Sequence, residues 1–268
     1  MKRNLNEMNK VYYFFRQKGR DIILRMGGCC AKPSNGIHII TAHMSHRTKP
    51  DLKYMEQTMA KLSKKVKFVR IEEAVRMIEA HEEPNEPLCA FTFDDGFDDC
   101  YYNIAPVLEK YNTNAIFFVN PNFVEGDEAY ISHFTEVTTL TPGKRPMRWE
   151  QLKDLQERGF IIGAHTMDHY LTAKDDQKEL EYQILECKKV IEDHLGGTCD
   201  YFAWPYGRLE HTSSYAVELA CKTYSHVFSQ SNYRHYFSFD GRVLNRRHFE
   251  PFWPFSHIKF FLSKQIHY

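Results

Sequence analysis

No charge of either sign dominates this chain: 35 lysines and arginines stand against 35 aspartates and glutamates over 268 residues. That balance excludes a nucleic-acid footprint spread over the whole protein, and no nucleic-acid partner is expected. Paired cysteines are missing too. The seven cysteines, an odd number, include the neighbours Cys29 and Cys30 but no CxxC spacing, which speaks against a disulfide framework and a structural zinc knuckle. Reduced, mostly buried thiols are the expectation. The opening MKRNLNEMNKVYYFFRQKGRDIILRMGG holds no apolar run of seven or more, so neither a signal peptide nor a transmembrane helix is expected, and the inferred location is cytoplasmic. Internal repeats and the GxSxG, HExxH and P-loop signatures are also absent.

What is present is ordinary globular material, with 43% hydrophobic and 26% charged residues, enough apolar side chains for a core. Apolar runs bounded by breakers mark seven candidate strands at 37–42, 88–93, 115–119, 160–164, 201–204, 226–228 and 242–245. Helical patterns fall between most of them. Leu180, Ile184, Cys187, Ile191 and Leu195 share one helical face, stopped by Gly196, and Trp149, Leu152 and Leu155 mark a shorter helix ended by Gly159. Strands that are apolar throughout and alternate with helices imply a parallel sheet covered by helices. The expected fold is α/β, a distorted (β/α) barrel with about seven parallel strands. Residues 120–148, weakly patterned, read as an insertion over one rim. The expected organisation is an N-terminal helical extension over 1–36, packed on a barrel domain over 37–268.

Chemistry concentrates just past the strands. His43, Asp94-Asp95, His165, Pro205-Tyr206 and Arg246 all follow the C-terminal ends of candidate strands, where parallel barrels collect their active-site groups. In FTFDDGFDDC the adjacent carboxylates Asp94 and Asp95 repel each other unless a cation or proton lies between them. A calcium loop does not explain them, because its sixth and twelfth positions would be Asp99 and Ala105. An aspartyl-phosphate site of the haloacid dehalogenase kind needs a second aspartate where Gly96 stands. In GAHTMDHY, His165 and His169 are four apart, so one helical turn would bring both imidazoles to one metal. With a carboxylate from another strand end, the pair makes a two-His-one-carboxylate site with open positions.

Thr92-Phe93-Asp94-Asp95-Gly96, the run IAPVLEKYNTNAIFFV, His165-Thr166-Met167-Asp168-His169 and FAWPYG, in this order, resemble the successive motifs of the polysaccharide deacetylase family, the NodB-like carbohydrate esterases. The similarity covers residues 37–247. It implies a distorted barrel and a hydrolase that uses one divalent metal, zinc, to remove acetyl groups from an N-acetylated sugar or glycan intermediate, with an O-acetyl ester as the other possible bond. By this resemblance Asp95, His165 and His169 match the metal ligands, Asp94 matches the catalytic base, and the backbone N–H of Tyr206 faces the oxyanion. Gly96 permits the sharp turn beneath them. With a cytoplasmic location, a lipid-linked or nucleotide-linked intermediate fits better than a finished wall polymer.

The chain departs from the family pattern twice. Ala203 stands where many members carry the third-motif arginine that positions the catalytic aspartate, so it resembles a branch without it. Leu244-Asn245-Arg246 stands where many members have Leu-x-His, whose histidine is the general acid. Arg246 either pairs with Asp94, with Arg247 as the alternative if the register differs by one, or faces outward as a surface arginine. His248 is a candidate acid or a loop histidine; His43 a substrate contact or a buried, satisfied histidine. Trp204, Pro205 and Trp149 are candidate walls for a sugar or methyl group, or core. A catalytically inactive barrel that binds sugar or a partner stays open beside the enzyme. The first 28 residues hold seven basic against two acidic residues, interleaved with Tyr12, Tyr13, Phe14 and Phe15; they lie either on the barrel or, peripherally, on a membrane. The aromatic tail HFEPFWPFSHIKFFLS is expected to pack on the barrel or on a second subunit.

Overall fold

The computed structural model describes residues 18–174 and 176–268. Ten strands form one sheet: β1 (Gly36–Ala42), β2 (Lys67–Phe68), β3 (Pro87–Phe93), β4 (Ala115–Val119), β5 (Ile161–Ala164), β6 (Tyr201–Ala203), β7 (His226–Ser229), β8 (Phe237–Ser238), β9 (Val243–Asn245) and β10 (Arg247–His248). The seven apolar runs all become strands. The additions, β2, β8 and β10, are two residues each, too short to carry a period.

The strand order is β10-β1-β3-β4-β5-β6-β7-β9-β8, with β2 also on β3. All pairings are parallel except β8 against β9, so the sheet is mixed. One residue, Arg246, separates β9 from β10. The run 243–248 therefore pairs with β7 through Ser229↔Asn245 and with β1 through Ile40↔Arg247. That hand-over curls the sheet into a distorted barrel and brings the last strand beside the first.

Alternation along the strands explains their continuous apolarity. Ile37 and Ile39 of β1, Leu88 and Ala90 of β3, and Ile116 and Phe118 of β4 join an inner cluster with Ala203, Phe228 and Leu244. The helix Ile71–Glu79 adds Ile71, Ala74, Val75 and Ile78. The intervening residues, such as Ile40, Phe91, Phe93, Phe117 and Val119, join a larger cluster beneath the other helices. Each fully buried phenylalanine, such as Phe117 or Phe118, contributes about 1.5–3 kcal/mol of transfer free energy.

The expected long helix is present over residues 177–195, with Leu180, Ile184, Cys187 and Ile191 buried. Residues 120–148 are more ordered than their pattern suggested. They form the helices Pro121–Glu125 and Glu128–His133, then a wider turn over Phe134–Thr138. Residues 18–29 are helical and pack on the helix Phe255–Leu262 of the aromatic tail, where Asp21 pairs with His257 at 2.9 Å. Among the described residues no helix is long and apolar enough to cross a membrane.

Candidate metal centre and catalytic pocket

The C-terminal ends of the parallel strands open onto a cavity of about 400 Å³, lined by His43, Asp94, Asp95, His165, His169 and Tyr206 among others. Getting these side chains there demands unusual backbone. Asp95 (φ 72°), Thr166 (φ 64°), His169 (φ 56°) and Tyr206 (φ 63°) all adopt the left-handed conformation, which costs non-glycine residues about 1–3 kcal/mol each and persists where the surroundings enforce it. Gly96 (φ 67°) continues the turn after Asp95, and a Cβ there would lie 3.0 Å from Val119 Cγ1. The expected helical turn between His165 and His169 is absent. These residues form a loop, because left-handed Thr166 breaks the helix and turns the chain back so that both rings still converge, with centroids 5.2 Å apart.

Buried polar groups hold that loop. The Asn120 side-chain amide donates to the carbonyls of His165 and Thr166. Asp168, between the two histidines, accepts from Asn122, Tyr130 and Gln183, tying the loop to the 120–148 segment and to the long helix. Neither role was visible in sequence, where Asn120 and Asp168 look like loop residues.

Asp95, His165 and His169 are all buried, and their ligand atoms face one another. His165 Nδ1 lies 2.7 Å from the Ala203 carbonyl. A carbonyl can only accept, so Nδ1 carries the proton and Nε2 presents a lone pair. That lone pair faces Asp95 Oδ1 at 3.6 Å, and His169 Nε2 faces the same oxygen at 3.3 Å. Among the described residues Asp95 Oδ1 has no hydrogen-bond partner although it is buried. Burial would raise the Asp95 pKa, but the two imidazoles outweigh it and hold the carboxyl well below its usual range; burial lowers the pKa of His169 and keeps it neutral. Three buried ligand atoms that converge, one of them a carboxylate oxygen without a hydrogen bond, fit a cation. The 3.3 Å separation matches the edge of about 3.3–3.4 Å expected for a tetrahedral site with ligands at about 2.0–2.1 Å, and the 3.6 Å separation is slightly longer.

Asp94 stands beside this cluster and is 3% exposed. Arg246, fully buried, forks onto it, with Nη1 to Oδ1 at 2.7 Å and Nη2 to Oδ2 at 3.0 Å. Nη1 also donates to Thr92 Oγ1 and Nε to the Ser229 carbonyl, while the guanidinium lies over Phe118 and Phe228. Small Ala203 belongs to that same inner cluster. Burial pushes the Asp94 pKa up, and Arg246 with the nearby imidazoles outweighs it, so the net shift is downward. Arg247 points elsewhere, to the Phe261 and Lys264 carbonyls of the C-terminal segment.

On the opposite wall, His43 Nδ1 lies 2.6 Å from Glu250 Oε1, and His248 Nε2 reaches the same oxygen at 3.1 Å. Burial works against protonating His43, but the Glu250 carboxylate beside it lifts its pKa to about 10. Glu250 falls to about 2, with burial opposing the two imidazoles and losing. Sequence reasoning singled out both histidines and missed Glu250, which lies two residues past β10, a strand too short to read from sequence. Two candidate walls need correction. Trp204 is 1% exposed and donates its indole N–H to the Arg208 carbonyl, and Pro205 is buried behind the cavity, so neither lines it. Trp149 also lies outside, stacked on His194. The aromatic walls are Tyr206, edge-on to His169 at 4.7 Å, with Phe252 and Trp253 of the tail.

Residues 81–231 match the family model for polysaccharide deacetylases. A Bacillus subtilis protein assigned to this class, YxkH, is 28% identical over 150 residues, which are 54% of this chain and 46% of that protein. A peptidoglycan-N-acetylglucosamine deacetylase of Bacillus cereus is 28% identical over 109 residues, 40% of this chain and 41% of its own. The match thus spans less than half the length of either relative. Among solved structures, IcaB from Ammonifex degensii has a TM-score of 0.68 at 22% identity, covering 87% of this chain and 99% of that one. The Streptococcus pyogenes deacetylase PplD in complex with acetate has a TM-score of 0.63 at 20% identity, covering 85% and 97%. At such identities the structural likeness establishes the fold, and the model matched over more than half of the sequence establishes the lineage: the chain belongs to the polysaccharide deacetylase family.

Proposed function

We propose that this protein is a metal-dependent hydrolase that removes acetyl groups from an N-acetylated sugar or glycan intermediate. The observation that carries the proposal is the division of labour between adjacent aspartates: Asp95 joins the lone-pair cluster, while Asp94 stays outside it, held by a buried arginine in the same cavity. A binding module has no use for an oriented, ionised base beside a metal site.

Asp95, His165 and His169 would hold one divalent cation, and their two-nitrogen, one-oxygen set with an open side suits zinc. When bound, the cation polarises the acetyl carbonyl and lowers the pKa of the attacking water, so that a base as weak as Asp94 suffices. Asp94 takes the proton from that water, and Arg246 fixes which lone pairs face the cavity. The Tyr206 backbone N–H is the proposed donor to the developing oxyanion. His43 is the proposed acid: Glu250 holds its Nδ1 and keeps the ring charged, so Nε2–H can protonate the departing amine as the C–N bond breaks. Acetate and the free amino sugar are the products. Trp253, Phe252 and Tyr206 supply apolar faces for the sugar. All seven cysteines are unpaired, four of them buried, which supports a reducing compartment, the cytoplasm.

The test is acetate release from N-acetylated amino sugars by protein stripped with a chelator and then reloaded with zinc. Turnover that returns with metal, and falls by about 10²–10⁴-fold in Asp94→Asn while the metal stays bound, is the expected result. Absence of acetate release across free, nucleotide-linked and polymeric substrates would favour a binding barrel instead.

A further inference from the structure

The helix over residues 18–29 has two faces of different fate. One is pinned to the helix Phe255–Leu262. Leu24 is buried there, a Cβ on Gly28 would sit 1.8 Å from the Ser256 carbonyl oxygen, and a Cβ on Gly27 would sit 2.8 Å from the Phe260 ring. Only glycine at position 28 lets the two backbones approach so closely, and Gly27 makes room for the Phe260 ring. The other face is apolar and uncovered: Ile22 is 55% exposed, Ile23 63% and Met26 73%, and Met26 and Ile23 are the most exposed large hydrophobic side chains among the described residues.

Charge is segregated onto the same segment. The first 28 residues hold seven basic and two acidic side chains, whereas the whole chain is neutral, so the remaining 240 carry five more acidic than basic residues. Arg20 and Arg25 belong to the described turns that carry Ile22, Ile23 and Met26. A second copy of this chain would bring like charge against like charge at this face. An anionic surface would not. An exposed apolar patch of three side chains, flanked by arginines on a helix whose described turns are too short to span, has the form of an interfacial helix.

We propose that this helix docks the protein on an anionic lipid bilayer, with Ile22, Ile23 and Met26 entering the headgroup boundary and the surrounding basic residues contacting lipid phosphates. The docked helix stands one side chain from the catalytic cavity. Trp253 lines that cavity and also lines the cleft formed with Arg20, Asp21 and Leu24. The glycan class that this suits is one presented at a membrane surface.

Flotation of the full-length protein with vesicles tests this without reference to turnover, using phosphatidylcholine alone and phosphatidylcholine mixed with phosphatidylglycerol. Binding to the anionic vesicles, release by salt, and a loss on the order of tenfold in a variant carrying Ile22→Ser, Ile23→Ser and Met26→Ser are expected. The three side chains are exposed, so the variant should melt like the parent, and thermal unfolding checks that. Failure of the parent to float with anionic vesicles overturns the proposal, as does equal flotation of the variant. A parent dimer that the triple variant converts to monomer assigns the face to a second copy and equally overturns it.

Discussion

Replacing Arg246 by methionine keeps much of the stem and deletes the fork. Asp94 is 3% exposed and Arg246 is fully buried, so water cannot take over the lost hydrogen bonds. Removing one partner of a buried pair costs about 3–5 kcal/mol, because a charge is left without compensation. With a urea m-value of about 3 kcal/mol/M, the midpoint should fall by about 1–1.7 M. The loss should also depend on pH. In the parent, the Asp94 pKa is depressed, so its contribution is present above the unfolded value of about 3.9 and disappears as pH falls through the folded value. In the variant, burial has lost its main opponent and the folded pKa rises, so Asp94 destabilises increasingly as pH climbs past the unfolded value. The gap between parent and variant should therefore widen from acid to neutral pH. Urea melts of metal-free protein across a pH series read this directly, and the acid limb of kcat/KM should move upward in parallel. A loss under about 1 kcal/mol at neutral pH, or one that is flat with pH, would refute the pairing as the source of stability and of the Asp94 ionisation.

His165→Ala should abolish stoichiometric metal in folded protein; unchanged metal by elemental analysis would remove these residues as the site. Glu250→Gln should drop the His43 pKa from about 10 toward that of an ordinary imidazole and move the alkaline limb of kcat/KM to lower pH, with KM nearly unchanged. In stability, the parent's His43–Glu250 contribution is fully present between about pH 4.5 and pH 6.5, and is lost as pH rises through about 10 or falls through about 2, so parent and Glu250→Gln melts should converge at alkaline pH. Lys144→Met should destabilise by about 3 kcal/mol or more, since it strands buried Asp99, and circular dichroism melting reads that loss.

Much of this was legible because the strands announce themselves. Both faces of β1, β3 and β4 are buried, so their sequences are continuously apolar, and the polar residue that ends each run falls on the rim. Arg246 was legible through a substitution elsewhere: small Ala203 lies in the inner cluster, and the Arg246 guanidinium crosses to Asp94 from the far edge of the same curled sheet. Glu250 was not legible, since β10 is two residues long and the residues after it read as an aromatic tail. The His165–His169 loop was assigned the wrong local shape because a β-branched threonine seldom adopts positive φ, and propensity cannot foresee a conformation that Asn120 and Asp168 enforce from outside. Trp204 was placed on the wrong side for a related reason. Sequence nearness to Tyr206 says nothing about facing, and the positive φ at Tyr206 turns the chain so that Trp204 stays in the core while Tyr206 faces the cavity.

The segment FTFDDGFDDC contains the same dipeptide twice, and the first aspartate of each copy shifts in the opposite direction. Asp94 and Asp95 both fall below the ordinary carboxylate range although both are buried. Asp98 rises to about 6, through its own burial and then through the charge of Asp99. The difference lies in where the cations stand. Arg246 serves Asp94, and two imidazoles converge on Asp95. In the second pair a single buried lysine, Lys144, contacts Asp99 at 2.9 Å, and Asp99 also accepts from the Ser45 backbone and hydroxyl and from Asn103. Asp99 is thus a knot joining the His43 loop, the turn after β3 and the 120–148 segment, all of which wall the cavity. Asp98 has no such fork, and its pKa is raised instead. Adjacent carboxylates repel in both places. The repulsion is answered by separate partners for each member where chemistry is proposed, and by a lysine for one member and a raised pKa for the other where the walls are tied together.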